Sequence, residues 1–311
     1  MNHRVQQTRT DYPVPTAKWS DPLIALFLRA AASGLVPGQW FLKNLPAPES
    51  RTAKTGKLHL EIVSHCWNYA HFLIYQLSSL VNYPPGDLTV TMAVYYCPED
   101  LRTKALLDNS SRLAVPGVIW DWRPLPRQAL FRRAIGRNQA ALHTRADWIW
   151  FTDCDLMFRN GCLDSLAAVL QGRQDALVFP ATERCTALLS DDNPLLHMDT
   201  DRFQVLDVDA RQFTERKRTR ATGPLQISHG DVARACGYCN SLPYYQRPSL
   251  SWCKAHEDRA YRWLLGTQGT PLDIRGVYRI RHAAKGRYTG NRFINKLRGW
   301  IRRLVSSVQE R

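Results

Sequence analysis

The sequence of 311 residues lacks a long apolar run. Its longest stretch without a charged residue, 62–86, contains His, Asn and Gln side chains and two prolines. A membrane-spanning helix needs about 20 mostly apolar residues, so no transmembrane helix is predicted. The hydrophobic content of 44% is sufficient for a folded core, which excludes disorder of the whole chain.

Cysteines are also few. Eight of them in this length are too few for a disulfide scaffold. Residues 1–30 lack the charged start, apolar stretch and small-residue cleavage site of a secretory signal. We therefore expect a cytoplasmic protein in a reducing setting.

Acidic residues are scarce only near the two ends. The net charge of +15 comes from residues 1–57, with eight Lys/Arg against three Asp/Glu, and 275–311, with eleven against one, whereas 58–274 is balanced at 23 each. A uniformly basic nucleic-acid-binding surface is not expected from this distribution.

Strand-like and helical patterns alternate from residue 58 onwards. Strands are predicted over 58–63, 88–96, 118–122, 148–152 and 176–179, with helices over 69–80, 128–144 and 163–170. This order predicts βαβ units and a mainly parallel α/β sheet with helices on both faces. Later patterns predict a long excursion with one antiparallel hairpin over 186–224, a helix over 258–265, and a last strand or hairpin over 271–281.

Two carboxylates follow the apolar strand that ends near Thr152. If the strand continues, Asp153 and Asp155 lie on the same side, at the carboxyl end where an open α/β sheet binds its ligand. Such a pair suits Mg²⁺ or Mn²⁺ together with a diphosphate. The alternative is that the Asp-x-Asp sequence only caps a turn.

The Asp153-Cys154-Asp155 motif and three further segments resemble the glycosyltransferases of the GT-A (Rossmann-like) fold, and the four segments occur along the chain in the order typical of these enzymes. They are most similar to family 2, the inverting enzymes that use nucleotide sugars. The other segments are Ala-Ile-Gly-Arg-Asn-Gln-Ala at 134–140, the Glu-Asp pair within 252–262, and Tyr-Arg-Ile-Arg-His at 278–282. The resemblance covers about 58–282. It implies a domain over 58–285 with a nucleotide-binding half, 58–158, and an acceptor half, 159–285, after an N-terminal extension, 1–57.

The resemblance also implies roles for individual residues. Asp258 is the expected catalytic base, with Glu257 beside it. The expected metal ligands are Asp153, Asp155 and His282. The residues expected at the donor, with a UDP-sugar favoured, are Ser64, Glu99, Arg137, Asn138, Asp153 and Cys154, and Asp100 is the alternative to Glu99 as the nucleobase contact. Each has a plainer interpretation: an ordinary helical arginine at 137, acids favoured at a helix N-terminus at 257 and 258, and a strand-end histidine at 282.

Four residues have the spacing of a structural zinc site: Cys236, Cys239, Cys253 and His256. A zinc ion there would fix the loop before Glu257. Chance spacing is the alternative.

The C-terminal segment, 286–311, contains a basic amphipathic pattern over 291–308. Such a helix either lies on an anionic membrane or packs its apolar face onto the domain. Membrane contact fits a glycan or lipid-linked acceptor and a peripheral position on the inner face of the plasma membrane.

The leading hypothesis is therefore an inverting, metal-dependent glycosyltransferase of bacterial surface polysaccharide assembly. A sugar-phosphate nucleotidyltransferase would need a Gly-rich phosphate loop after the first strand, which residues 64–68 do not provide. A basic zinc-containing nucleic-acid-binding protein would leave the acids at 153, 155, 257 and 258 unexplained.

Overall fold

The computed structural model describes residues 18–42, 44–200, 203–252 and 255–282. The helices in these ranges are α1 (Asp21–Ala30), α2 (Ala70–Asn82), α3 (Leu101–Ser110), α4 (Arg127–Leu130), α5 (Arg133–His143), α6 (Cys162–Leu170), α7 (Gly230–Cys236) and α8 (Glu257–Leu264). The strands are β1 (Leu58–Cys66), β2 (Leu88–Tyr96), β3 (Val118–Pro124), β4 (Trp148–Phe151), β5 (Leu156–Phe158), β6 (Leu177–Pro180), β7 (Thr182–Thr186), β8 (Phe213–Lys217), β9 (Gln226–His229), β10 (Thr270–Leu272) and β11 (Val277–Arg279).

Seven strands form the main sheet in the order β10-β6-β9-β4-β1-β2-β3. Each neighbouring pair is parallel except the two that involve β9, which runs antiparallel to β4 and β6. The buried apolar runs of β1, β2 and β4 are those of strands covered on both faces. The expected GT-A arrangement, a mainly parallel sheet flanked by helices, is confirmed.

The strand order reverses between β1 and β4. The chain moves outward from β1 to β2 and β3, then returns through α4 and α5 to β4 on the other side of β1. Right-handed crossovers in opposite directions put their helices on opposite faces. A crevice therefore opens at the carboxyl ends of β1 and β4, where α/β sheets bind ligands.

A second sheet has the order β5-β11-β7-β8. The antiparallel pair of β7 and β8 differs from the hairpin expected within 186–224, because β7 ends at the start of that segment and a long connection separates the two strands. A hairpin over 271–281 is wrong, because β10 joins the main sheet whereas β11 joins the small one.

One predicted helix is divided. The pattern over 128–144 gives α4 and α5, because Arg132 leaves the helical region with φ −104° and ψ 83°. The break makes Arg133 the first residue of α5.

The segment before β1 packs against α8. It continues from α1 through a π-helical stretch, Ala31–Leu35, and a 3-10 turn, Gly38–Trp40. Trp263 donates its indole N–H to the carbonyl of Val36 at 2.6 Å, and its ring lies 5.2 Å from that of Phe41. Within the described part of the chain, no helix has both the length and the apolar character to cross a bilayer. The C-terminal amphipathic pattern lies outside the described residues.

Candidate active site

The turn that carries Asp153 and Asp155 is stabilised by hydrogen bonds from α2. Gln76 is fully buried and donates its Nε2 group to the carbonyls of Asp153, at 3.0 Å, and Leu156, at 2.9 Å. Ser64, expected at the donor, is also fully buried and donates its hydroxyl to Gln76 Oε1 at 2.6 Å. Ser64 therefore supports the turn through Gln76.

Arg133 joins the acid at the end of β4 to the acid at the start of α8. Its Nη1 lies 2.6 Å from Asp153 Oδ1 and its Nη2 lies 2.8 Å from Glu257 Oε1. Burial acts to lower the pKa of Arg133, but the two facing carboxylates raise it well above its ordinary value. Burial likewise acts to raise the pKa of Glu257, and the charges of Arg133 and Arg137 outweigh it and lower the pKa. Arg133 and Glu257 are therefore both charged at neutral pH.

Arg137 lies deeper than Arg133, with no exposed surface. Its guanidinium donates to the hydroxyl of Tyr238, at 2.9 Å, and to the carbonyls of Thr152 and Gly223, both at 3.2 Å. It also lies 3.5 Å from Asp153 Oδ1. These bonds tie the end of β4 to the loop before β9.

Tyr238 continues this network towards α8. Its hydroxyl donates to Gln226 Oε1 at 2.7 Å, and Gln226 Nε2 donates to the carbonyl of Asp258 at 3.0 Å. Asn138 holds the same loop, because its Oδ1 accepts from the Tyr238 N–H at 2.8 Å and its Nδ2 donates to Asn240 at 2.9 Å. The Arg-Asn pair of α5 therefore fixes the backbone of the loop at 238–240.

The two acids that open α8 differ in environment. Glu257 is buried and paired with Arg133, whereas the carboxylate of Asp258 is 28% exposed and lies 3.5 Å from Arg262 Nη1. Gly223 runs beside Asp258, and a Cβ on this glycine would lie 3.8 Å from that carboxylate's carbon. Asp258 is thus the acid of the pair that a substrate could reach.

His282 lies beside the second aspartate of the turn. Its Nε2 is 3.8 Å from Asp155 Oδ2, and its ring packs 4.3 Å from the ring of Phe72 and 5.6 Å from that of Tyr69. The backbone N–H of Ile280 donates to the carbonyl of Asp155 at 3.0 Å. The late strand therefore brings this histidine to the aspartate, although Asp153 faces arginines instead. Among the described residues, no group of three or more His, Cys, Asp or Glu side chains is arranged to hold a metal ion.

The remaining donor candidates lie around the ends of β1 and β2. The thiol of Cys154 is buried and donates to the carbonyl of His65 at 3.2 Å. Glu99 is 63% exposed and lies 3.5 Å from Arg127. Asp100 is buried, where it caps α3 and accepts from the N–H of Asn68 at 2.6 Å. Glu99 is thus the acid of this pair that is open to a ligand.

The cysteine loop is only partly described, since Cys253 lies outside the described residues. The thiol of Cys236 faces the carbonyl of Asn44 at 3.7 Å, and that of Cys239 faces the carbonyl of Glu257 at 3.4 Å. Burial raises the pKa of Cys236 to about 11 and that of Cys239 well above its ordinary value. His256 adopts a left-handed conformation, φ 58°, at the start of α8.

A cavity of about 440 Å³ lies apart from these acids, beside the small sheet. Arg159, Arg184 and Tyr278 are among its lining residues, and none of the site acids is. The hydrogen-bonded acids, rather than this cavity, define the candidate site.

Several residues of the site have no counterpart in the sequence-based prediction. Arg133, Gln76, Tyr238 and Gln226 make its central hydrogen bonds, and only Arg133 carries a signal in the sequence. It precedes Arg137 by four residues, so the two share one face of a helix.

A family model for glycosyl transferase family 2 matches residues 112–233. The match includes α5 and both aspartates of the turn, and it ends before α8. It favours glycosyl transfer over nucleotidyl transfer and nucleic-acid binding. No curated protein matches the sequence.

Two solved structures are similar to the chain at low identity. A mannosyltransferase from Pyrobaculum calidifontis, in complex with GDP-Man and Mn²⁺, shares 14% identity over 85% of this chain and 69% of that one, with a TM-score of 0.36. TarS residues 1–349 from S. aureus, in complex with UDP, share 12% identity over 72% of this chain and 60% of that one, with a TM-score of 0.45. The match over residues 112–233 makes this part of the chain similar to the glycosyltransferases of family 2, and the mainly parallel sheet flanked by helices agrees with that similarity.

Proposed function

We propose that the protein transfers a sugar, with inversion and with the help of a divalent cation, from a nucleotide-sugar donor to a hydroxyl of a glycan or lipid-linked acceptor. The observation that carries the proposal is the bridge made by Arg133. It holds Asp153, at the carboxyl end of β4, within 2.6 Å and Glu257, at the start of α8, within 2.8 Å. A donor site at the sheet and an acid at the acceptor side are thereby parts of one cluster.

The donor side has ligands suited to Mn²⁺ or Mg²⁺. The separation of 3.8 Å between Asp155 Oδ2 and His282 Nε2 is compatible with two ligands of one ion, since metal–ligand bonds here are about 2.1 Å long. Asp153 is the third candidate ligand, although one of its oxygens faces Arg133. When bound, the cation supplies charge that neutralises the departing nucleoside diphosphate.

The protein's own charges act on the same leaving group. The Arg133 guanidinium is 16% exposed and permanently charged, so it can turn one of its donors towards a phosphate oxygen. Arg137 has no exposed surface and instead keeps the end of β4 in position. Glu99, exposed at the end of β2, is our candidate for the nucleobase contact, and a UDP-sugar is the favoured donor.

Asp258 is our candidate for the general base. It would accept the proton of the acceptor hydroxyl while that oxygen forms a bond to the anomeric carbon. The bond from this carbon to the diphosphate oxygen breaks at the same time, and its electron pair leaves with the nucleotide. Attack opposite the leaving group inverts the configuration without a covalent enzyme intermediate. Glu257 is held ionised by Arg133 and positions the start of α8.

The cellular setting is part of the proposal. The basic amphipathic pattern over 291–308 suits docking on an anionic membrane, which would be the inner face of the plasma membrane in bacterial surface polysaccharide assembly. A structural zinc in the loop with Cys236 and Cys239 remains a separate proposal, and metal analysis of the purified protein tests it directly. Stoichiometric zinc would support it, and a zinc-free folded protein would contradict it.

Nucleotide release from a panel of nucleotide sugars, measured with Mn²⁺, tests the function. Asp155→Ala should lose metal-dependent release, because it removes a proposed ligand. Asp258→Asn should abolish transfer to an acceptor while donor binding persists, because only the base is lost. Asp108→Asn is the matched control, since Asp108 pairs with Lys104 on the surface of α3.

Failure of every donor to release nucleotide in a metal-dependent way would contradict the proposal as a whole. Full transfer activity in Asp258→Asn would remove Asp258 from the role of base. An Asp108→Asn variant as defective as Asp155→Ala would mean that the assay reports folding rather than chemistry.

A further inference from the structure

The segment from Trp19 to Trp40 exposes an unusual number of large apolar side chains. Among the described residues, eleven large hydrophobic side chains are exposed, and six of them fall in this short segment. We call these six the N-terminal apolar surface: Trp19, Leu23, Leu26, Phe27, Leu35 and Trp40. The two tryptophans are 87% and 71% exposed. Single exposed hydrophobic residues are ordinary, whereas large exposed apolar patches are typical of interaction sites.

The helix spacing explains the exposure within α1. Leu23, Leu26 and Phe27 are three and four positions apart and therefore share one helix face. The inward side of the helix is formed by other residues, of which Leu28 is buried and Ile24 is packed against the core. Both sides of α1 are thus apolar, and only one of them is covered by the domain.

The N-terminal apolar surface is attached to the acceptor side of the site. Arg259, two residues after the start of α8, donates to the carbonyl of Ala32 at 3.2 Å. Trp263, in the same helix, donates to the carbonyl of Val36 at 2.6 Å. Arg247 pairs with Asp21 at 2.7 Å. The helix that begins with Glu257 and Asp258 therefore carries this surface on its flank.

The charged residues around the N-terminal apolar surface indicate which kind of partner it binds. Residues 1–57 contain eight Lys/Arg against three Asp/Glu, and exposed Lys18 and Arg29 lie at the two ends of α1. Basic residues next to exposed aromatic and aliphatic side chains are typical of segments that lie in the interface of an anionic membrane. Tryptophan is enriched at the membrane–water interface, because its ring is apolar and its N–H is polar.

We infer that the N-terminal apolar surface docks on an anionic lipid surface and so brings the start of α8, with Asp258, close to the membrane. The docking itself is independent of the chemistry. Its purpose, delivery of a lipid-linked acceptor to Asp258, rests on the proposed function.

Co-sedimentation with vesicles of phosphatidylglycerol and phosphatidylcholine tests the docking. The triple variant Trp19→Ser, Leu23→Ser, Leu26→Ser should bind at least about tenfold more weakly, since it removes three side chains from the lipid contact. The matched control is Leu101→Ser with Leu250→Ser, because these leucines are 73% and 67% exposed elsewhere on the protein. Thermal unfolding of all three proteins establishes that each is folded.

Unchanged vesicle binding in the triple variant, or no binding by the unmodified protein, would overturn the inference. A concentration-dependent dimer that only the triple variant loses, without lipid binding, would assign the surface to a second copy of the chain. Metal-dependent nucleotide release in solution separates the two proposals. It should be equal in the triple variant and the unmodified protein, and its absence from both would contradict the proposed function while leaving the docking result intact.

Discussion

At the scale of single residues, Arg133 is the group on which the candidate site depends. One guanidinium, only 16% exposed, satisfies two carboxylates that belong to different elements, Asp153 after β4 and Glu257 at the start of α8. Removal of one partner from a buried ion pair is costly because it leaves an uncompensated charge in a poorly solvated place. The position of Glu257 therefore depends on a residue more than a hundred positions earlier in the chain.

Replacement of Arg133 should reveal this dependence. Arg133→Gln is expected to lower the free energy of unfolding by about 3–5 kcal/mol, because Glu257 stays buried without its counter-charge. The double variant Arg133→Gln, Glu257→Gln should recover part of that loss, since no buried charge is left at this pair. Denaturant unfolding of the single and double variants measures the coupling.

The control for this cycle is Arg127→Gln, which removes a surface pair with Glu99 and should cost no more than about 1 kcal/mol. Equal effects of the Arg127 and Arg133 substitutions, or additive effects at positions 133 and 257, would contradict the proposed coupling.

The lowered pKa of Glu257 predicts how stability responds to acid. A carboxyl group with a pKa lower in the folded than in the unfolded protein stabilises the fold above its unfolded pKa. That contribution is lost as the pH falls from the ordinary value of 4.5 through the folded pKa. We expect Glu257→Gln to lose less stability than the unmodified protein over this acid range, as measured by denaturant unfolding at neutral and acidic pH. Asp108→Asn is the comparison, because Asp108 pairs with Lys104 on the surface of α3; an equal response of both variants would contradict the assignment.

The acidic residues of the candidate site can be predicted from the sequence, but the hydrogen bonds that hold the site together cannot. Asp153 and Asp155 follow an apolar strand, so a local pattern identifies them, whereas Glu257 and Asp258 are identified by the resemblance to the glycosyltransferase segments. Gln76 and Tyr238 lie inside apolar segments, and their contacts join residues distant in sequence. Nothing local distinguishes such a buried polar residue from one that pairs with backbone nearby.

At the scale of elements, the division between α4 and α5 could not be predicted from the apolar pattern of the sequence. The apolar positions over 128–144 follow one helical period, and neither Pro nor Gly marks the break at Arg132. The break is set by tertiary contacts, since Arg132 bonds the carbonyl of Arg247 at 3.3 Å and its guanidinium lies 4.8 Å from the ring of Tyr244. The first turn of α5, and with it Arg133, takes its direction from these contacts.

The docking of the N-terminal segment on α8 depends on one glycine. A Cβ on Gly38 would lie 2.0 Å from the carbonyl oxygen of Trp263, and backbone on both sides leaves little room to adjust. Gly38→Ala should therefore lower the free energy of unfolding by about 1–3 kcal/mol. It should also reduce kcat, because α8 carries Asp258.

Gly86→Ala provides the control for Gly38→Ala. A Cβ at Gly86 would meet Asp164 Oδ1 at an ordinary 3.7 Å. Urea unfolding of the two variants measures the difference. Equal stability of both would show that the N-terminal segment is not tightly held against α8.

At the scale of the whole molecule, the sequence predicts five strands of the main sheet, β1 to β4 and β6, and little of the second sheet. The strands β1, β2 and β4 were predictable because each is a buried apolar run between turn residues. The strand β3 was predictable from its β-branched and aromatic residues, although none of its residues is buried. The small sheet was not, since its strands β5 and β11 are three residues long and pair across a large distance in sequence. A strand of three residues is too short to show the alternation of apolar and polar residues by which strands are predicted.

The uneven charge of the chain predicts a salt-sensitive part of lipid binding. The excess of basic residues lies in 1–57 and 275–311, and charge attraction between exposed groups is screened over about 10 Å at 0.1 M salt. Raising the salt from about 0.05 to about 0.5 M should weaken vesicle binding by the unmodified protein. The triple variant of the N-terminal apolar surface should retain the same salt response at a lower overall affinity. Sedimentation at a series of salt concentrations measures both, and a salt-independent affinity would exclude a role for the basic termini.

The ladder between β5 and β11 has a consequence for whatever binds between Asp155 and His282. These residues are distant in the chain, yet antiparallel pairing of the two strands and the bond from Ile280 N–H to the carbonyl of Asp155 hold their backbones together. The conformational entropy lost in bringing them together is therefore part of folding, not of ligand binding. An ion at this position would meet ligands that are already in register, so its affinity would reflect the chemistry of the donor atoms rather than the cost of ordering a loop.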